Sequence, residues 1–264
     1  MERGSPGVVI RKSEIQAYFA SSAENGSIKE DVRCFLRGIS EIHPEVETPR
    51  IQWRILKDRN WNSSWHWFFR PQKIGNAFWV TPPWATPPTL HRRQVITIEP
   101  GMAFGTGTHA TTRGCMEFIE QVTPLVRGTE FNALDVGTGS GILAIALVKL
   151  GARKVWAMDL DPVALNVARE NLRCNHVQEK IYLSEAKLGR IRKSFSVVVA
   201  NLTAETIMDS ARALESKVAA NGFLILSGIL NPKAGQVINQ FTADFKVMRR
   251  KQEKEWVTLL LRRR

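Results

Sequence analysis

The 264-residue chain is poor in cysteine: Cys34, Cys115 and Cys174 are all it has. They are far apart, odd in number and lack CxxC spacing, which excludes a disulfide framework and a zinc site and favours a reducing compartment. Long apolar runs are missing too. The stretch MERGSPGVVIRKSE at the start carries no apolar signal core, and GILAIALV at 141–148 is far too short to span a bilayer. A soluble, cytoplasmic protein with no membrane contact is therefore expected. No internal repeat or low-complexity run interrupts the chain, and its length suits one domain of about 160 residues plus a smaller one.

Acidic charge is scarce relative to basic. Lysine plus arginine minus acids gives 37 − 25 = +12, and the excess is uneven. Residues 50–100 carry eight basic and two acidic groups, whereas residues 1–49 carry six and eight. Such a patch suits a polyanionic partner such as RNA or a ribosome surface, and equally a solvated face.

The first part of the sequence is irregular. A strand-like IQAYFA at 15–20 and a helix-like SIKEDVRCFLRGI at 27–39 suggest a small α+β unit. Six of the eight tryptophans, Trp53, Trp61, Trp65, Trp67, Trp79 and Trp84, then fall within residues 53–84. Indoles at that density read as a core packed around a domain junction, or as an aromatic surface for a partner. TPPWATPP at 81–88 reads as a stiff linker, which places the domain boundary between residues 85 and 86.

From residue 131 the pattern becomes regular. FNALDV, KVWAMD, KIYLS, FSVVVAN and GFLILSGI are candidate strands. Between them lie the candidate helices SGILAIALVKLG, PVALNVARENLRCN, AETIMDSARALESKVAAN and PKAGQVINQF. This alternation predicts right-handed crossovers and a doubly wound, mostly parallel sheet covered on both faces. DFKVMRRKQ and EWVTLLLRR have no helix between them and predict a terminal hairpin with an antiparallel strand. Residues 107–128 read as a loop and one helix ahead of the first strand.

The chemistry-bearing motifs sit at strand ends. GMAFGTGTHATT at 101–112 is Gly- and Thr-rich, but no lysine precedes its Ser/Thr, so it is not a P-loop. LDVGTGSG at 134–141 places Gly137, Gly139 and Gly141 after a strand and before a helix, with Asp135 upstream. This is GxGxG rather than the dinucleotide GxGxxG, because Ile142 stands where the third glycine would be. Close backbone approach beside a carboxylate suits the amino-acid tail and sulfonium of S-adenosyl-L-methionine better than a pyrophosphate. Asp159 ends the second strand 22 residues after Gly137, the distance at which doubly wound folds set an acid on ribose hydroxyls. Asp161 followed by Pro162 reads as a helix cap.

Asn201 ends the fourth strand, at the edge where open α/β sheets bind ligands. Its amide would accept a hydrogen bond from an amine nucleophile, or else cap the next helix. Enzymes that methylate glutamine or exocyclic base amines carry Asn/Asp-Pro-Pro-Tyr/Phe at this place. Here Leu202, Thr203 and Ala204 follow, which favours a flexible aliphatic amine over a planar substrate. His109 has no second ligand at metal spacing, so a hydrogen-bonding role is expected and no metal.

AFGTGTHATT, LDVGTGSGILAIALVKLGA, AMDLDP, VVVANL and SGIL resemble the ribosomal protein L11 methyltransferase family over roughly residues 50–264. The resemblance implies an N-terminal recognition domain (1–85 with its linker) and a seven-stranded methyltransferase domain (86–264). It also implies transfer of methyl groups from S-adenosyl-L-methionine to lysine and N-terminal amines of a ribosomal protein. Gly137, Gly139, Asp159, Asn201 and Thr112 would contact the cofactor, and Phe104 with the threonines of the opening loop would close over it as a lid. Asn201 would be the catalytic residue. Contact with ribosomal RNA and a monomeric state are further expectations. The chain departs from the family at Thr138, where cysteine is usual, and at Ala110, where proline is, and residues 1–49 are shorter than the usual N-terminal domain. An RNA methyltransferase and a non-catalytic ribosome-associated module that binds the cofactor are the alternatives.

Overall fold

A computed structural model describes residues 7–11, 14–18, 25–43, 50–53, 70–87, 93–100, 107, 109–126 and 131–264. Trp61, Trp65, Trp67 and Phe104 lie outside them. The chain divides into two compact units, Met1–Arg59 and Asn60–Arg264. The first holds an antiparallel hairpin of β1 (Gly7–Arg11) and β2 (Glu14–Tyr18), followed by helix α1 (Asn25–Ile42). Residues 15–18 of the strand-like stretch lie in β2 and the helix-like stretch 27–39 lies in α1, giving a small α+β unit.

The second unit opens with a small sheet of β3 (Gln72–Ile74), β4 (Phe78–Thr81) and β5 (Gln94–Thr97), antiparallel and then parallel. β4 is buried along its whole length. Residues 82–85 of the TPPWATPP segment form a turn, in which the Ala85 N–H donates to the Pro82 carbonyl at 3.1 Å and the Thr81 hydroxyl to the Ala85 carbonyl at 2.7 Å, and residue 88 lies outside the described residues. The expected 85/86 boundary thus falls within this second unit.

Helix α2 (Ala110–Val126) leads into the large sheet. Its elements are β6 (Asn132–Val136), α3 (Ile142–Lys149), β7 (Lys154–Met158), α4 (Pro162–Cys174), β8 (Ile181–Ser184) and β9 (Phe195–Asn201), then α5 (Ala204–Asp209), α6 (Ala211–Lys217), β10 (Val218–Leu230), α7 (Ala234–Phe241), β11 (Phe245–Glu253) and β12 (Trp256–Arg263). Strand order is β11-β12-β10-β9-β6-β7-β8. Only β12 runs against its neighbours, so the sheet is the seven-stranded, mostly parallel one that the alternation predicts. β6, β7 and β8 build outward in one direction, and β9 then returns to pair with the other side of β6. The carboxyl ends of β6 and β9 therefore flank a topological switch point, where such sheets open a crevice.

Period-two alternation decides the layers. Ala133, Val155, Val197, Val199, Ile225 and Leu260 turn to one face, where they pack with α2, α3 and the small sheet's Ile74, Phe78 and Val80. Leu134, Val198, Ala200, Leu224 and Leu259 turn to the other, against Ile207, Leu214, Val237 and Phe241 of α5, α6 and α7. Each fully buried aliphatic side chain contributes about 1.5–3 kcal/mol relative to exposure.

One expected helix is broken. AETIMDSARALESKVAAN forms α5 and α6 and then enters β10, because Ser210 leaves the helical region at φ −99°, ψ 4° and buried Val218 pairs with Phe195 of β9. Apolar residues at Val218 and Ala219 serve the sheet rather than a helix face.

Candidate functional site

The carboxyl ends of β6, β7 and β9 bring the sequence-predicted residues to one place. β6 ends in the loop 137–141, whose glycines Gly137, Gly139 and Gly141 all have positive φ. Two of the turn's N–H groups, from Gly137 and Thr138, donate to the Met158 carbonyl at 2.8 and 2.9 Å. At Gly137 the need for glycine is double: φ is +72°, and a Cβ would lie 2.4 Å from Leu202 Cδ2. The loop is thereby pressed against the residue that follows Asn201.

Asp159, at the end of β7, accepts the Gly139 N–H on Oδ2 at 2.9 Å and the Asp161 N–H on Oδ1 at 3.1 Å. Each oxygen keeps a lone pair for a further donor. Asp161 is the N-cap of α4, its carboxylate accepting from the Val163 N–H at 2.8 Å ahead of Pro162.

Asn201 ends β9 beside Ser227 of β10. Its successor is held on two sides: the Leu202 N–H donates to the Ser227 carbonyl at 3.0 Å, and Gly228, at φ +82°, comes so near that a Cβ there would sit 2.2 Å from the Leu202 carbonyl oxygen. The cap of α5 is Thr203, whose side chain accepts from Thr206 N–H. The capping alternative for Asn201 is thus taken by its neighbour two residues on.

Beneath the loop lies a buried polar cluster. Asp135 is 0 % exposed. Its Oδ2 accepts from the Thr138 hydroxyl at 2.7 Å and the Ala144 N–H at 3.1 Å, while Oδ1 has no partner. Burial pushes its carboxyl up to about 7, partly offset by those two donors. Thr138, the family's cysteine position, therefore holds the loop through its side chain as well as its backbone. Cys115 of α2 shares this interior, its thiol pushed up by burial, and the Ser227 and Thr258 hydroxyls bond each other at 2.8 Å. Thr112, in the first turn of α2, is 0 % exposed with its hydroxyl unpartnered.

Of the opening loop GMAFGTGTHATT, residues 101–106 and 108, Phe104 among them, lie outside the described residues. At its far end His109 Nδ1 bonds the Thr111 hydroxyl at 2.7 Å and the ring stands edge-on to Trp256, centroids 5.1 Å apart. No group of His, Cys, Asp and Glu able to hold a metal exists among the described residues.

One pair of residues has no motif to announce it. Asn171, on the buried side of α4, and Asn175, the C-cap one turn on, are 1 % and 6 % exposed. Asn171 Oδ1 accepts the Glu99 N–H at 3.1 Å, and its Nδ2 donates to the Ser140 carbonyl in the glycine loop at 2.9 Å. Asn175 accepts the Thr97 N–H at 2.9 Å and returns a bond to the Thr97 carbonyl at 2.6 Å. The approach to the opening loop and the glycine loop are thus fastened to one helix. The available signal was the spacing: two amides at i and i+4 on an otherwise apolar helix face.

Comparison with known proteins gives the family of the whole chain. The family model for ribosomal protein L11 methyltransferase (PrmA) matches residues 3–264. The ribosomal protein L11 methyltransferase of Pelobacter propionicus is 36 % identical over 258 residues, covering 94 % of this chain and 81 % of that one. Its counterpart in Geobacter metallireducens is 44 % identical over 252 residues, covering 93 % and 80 %. The crystal structure of the ribosomal protein L11 methylase from Lactobacillus delbrueckii subsp. bulgaricus superposes with a TM-score of 0.68 at 30 % identity, over 74 % of this chain and 100 % of that one.

Proposed function

This chain belongs to the ribosomal protein L11 methyltransferase family, and on that premise we propose that it methylates lysine and N-terminal amines of ribosomal protein L11. The observation that carries the reading is the convergence of the GxGxG loop, Asp159 and Asn201 on the switch point of the sheet.

S-adenosyl-L-methionine supplies a sulfonium-bound methyl group and leaves as S-adenosylhomocysteine. The residues fit it: a Cβ-free cradle at Gly137, open lone pairs on Asp159, and an orphaned buried oxygen on Asp135. Gly137 and Gly139 would let the ligand approach the backbone, Asp159 would accept the ribose hydroxyls, and Asp135 Oδ1 would face the ammonium. Thr112 would give its unpartnered hydroxyl to the ligand, and Phe104 would close the opening loop over it.

Transfer would form a C–N bond to the substrate amine as the C–S bond breaks, and the residues of this chain would serve it by holding and orienting the amine. Asn201 Oδ1 would accept a hydrogen bond from that amine and aim its lone pair. A free lysine, pKa about 10.4, costs about 4.6 kcal/mol to deprotonate at pH 7. Among the described residues no side chain of the site is placed as a general base, so the amine would give its proton to water before attack, and exclusion of water by the opening loop would lower the cost. Rotation of the amine on Asn201 would allow successive methylations. Residues upstream of 86 are assigned to substrate recognition and residues 86–264 to catalysis, in a monomeric, cytoplasmic enzyme. Among the described residues no helix is long and apolar enough to cross a membrane.

The test is incubation of the purified protein with L11 and isotope-labelled S-adenosyl-L-methionine, with mass spectrometry of the product. Label on lysine and α-amino nitrogens supports the reading. Label on ribosomal RNA alone, or on neither, overturns it.

A further inference from the structure

Charge is compensated differently at the two ends of the large sheet. At the carboxyl end, beside the candidate site, cations meet carboxylates: Arg113 pairs with Glu253, Lys251 with Glu117 at 2.5 Å, and Lys233 with Glu205. At the amino end they meet neutral groups. Lys154 donates to the Glu179 carbonyl at 2.6 Å, and Arg264 to the Ala243 carbonyl at 3.3 Å. Arg262 reaches the Asn221 amide oxygen at 3.5 Å while its guanidinium lies 5.8 Å over the Phe223 ring, and Lys193 lies 4.6 Å over Trp156.

Among the described residues Lys154, Arg192, Lys193, Lys246, Arg262 and Arg264 form no ion pair. All six are exposed. Lys246 and Arg262 are direct cross-strand partners, an arrangement of like charges that destabilises a hairpin unless an anion lies across it. Among the described residues the acids of this end are few. Glu179 gives its backbone carbonyl to Lys154. Burial and Asp244 push the Glu215 carboxyl up, against the pull of Arg263 and Arg212. The stripe crosses from β11 to β7, five strand spacings or about 24 Å.

We propose that this rim, on the opposite edge of the sheet from the methyl-transfer site, binds the phosphate backbone of RNA. Partly oriented, uncompensated cations at intervals along one edge match a chain of phosphates, each contact releasing a condensed counterion. The surface lies outside the methyl-transfer machinery, and the choice of RNA as the polyanion rests on the ribosomal substrate of the proposed function. Its role is to hold the enzyme beside ribosomal RNA while the opposite edge works on protein.

The test is fluorescence anisotropy of a short, labelled, mixed-sequence single-stranded RNA titrated with the full chain across salt from about 50 to about 200 mM. Two variants remove charge on different elements: Lys246→Gln with Arg262→Gln and Arg264→Gln, and Arg192→Gln with Lys193→Gln. For single strands the log–log salt slope changes by about 0.7 per phosphate contact, so the triple variant should flatten it by about 2 and the double by about 1.4. Both variants should methylate free L11 at the parent rate, which separates failure of this proposal from failure of the methyltransferase reading. Unchanged affinity and slope in both variants overturns the proposal. So does preferential binding of polyglutamate over RNA by the parent chain, which would assign the rim to an acidic protein.

Discussion

Replacing Asn171 by alanine removes both arms of one amide. The Ser140 carbonyl, in a residue 2 % exposed, loses the Asn171 amide as a donor, which costs about 1–3 kcal/mol. The Glu99 N–H loses an acceptor but belongs to an exposed residue, so the net loss there is about 0.5–1.5 kcal/mol. The sum is about 1.5–4.5 kcal/mol, which for a unit of this size lowers Tm by roughly 3–18 °C. The control is on the same helix: Asn166 is exposed and bonds only Arg169, so Asn166→Ala should stay within about 0.5 kcal/mol of the parent. Calorimetry compares the two, and titration with S-adenosyl-L-methionine should show weaker binding for Asn171→Ala alone, because Ser140 belongs to the glycine loop. If Asn171→Ala melts with Asn166→Ala and binds the cofactor as the parent does, the fastening is incidental and the reasoning fails.

Asp159→Ala should weaken cofactor binding by about 1–3 kcal/mol in a calorimetric titration, since it would lose the proposed ribose contact as well as the acceptor for Gly139 N–H; parent affinity would remove Asp159 from the site. Gly137→Ala should abolish methyl transfer with the fold retained by circular dichroism, because its Cβ would meet Leu202 at 2.4 Å and φ is +72°; normal turnover would show that the loop yields. Asp135 predicts a pH dependence. Its carboxyl, raised from 3.8 to about 7 by burial, keeps in the folded state a proton that the unfolded chain has released. Stability of the ligand-free protein should therefore fall as pH rises from about 4 to about 7 and level off above. Denaturant midpoints across that range should lose this slope in Asp135→Asn, and an unchanged slope would place its origin elsewhere. Cofactor affinity should rise over the same window, as the carboxylate that would meet the ammonium forms.

The large sheet was legible because its physics is periodic. Buried parallel strands read as continuous apolar runs, helices as amphipathic ones, and the GxGxG turn and Asp159 fall at spacings that the crossover imposes. The small sheet was not legible. FWVT is too short to display a period, and the prolines behind it signal a linker as strongly as they signal the turn they form. Ser210 shows the same limit from the other side, since a helix of good composition is cut where Val218 gains more from β9 than from another helical turn. Asn171 and Asn175 escaped because their partners are backbone groups 31 to 78 residues away, and a backbone acceptor leaves no trace in a sequence.

The paired asparagines fix the chain at Thr97 and Glu99, and the His109–Trp256 contact fixes it at His109, so the backbone is moored on either side of residues 101–108. Closing a loop costs entropy that grows only with the logarithm of its length, about 0.6 kcal/mol for each doubling. With the moorings kept, residues can be gained or lost between them at little thermodynamic cost, and neither Asp159 nor the GxGxG turn has to adjust. The length of chain between the moorings is then a quantity that evolution can adjust by insertion and deletion, independently of the residues proposed to grip the methyl donor.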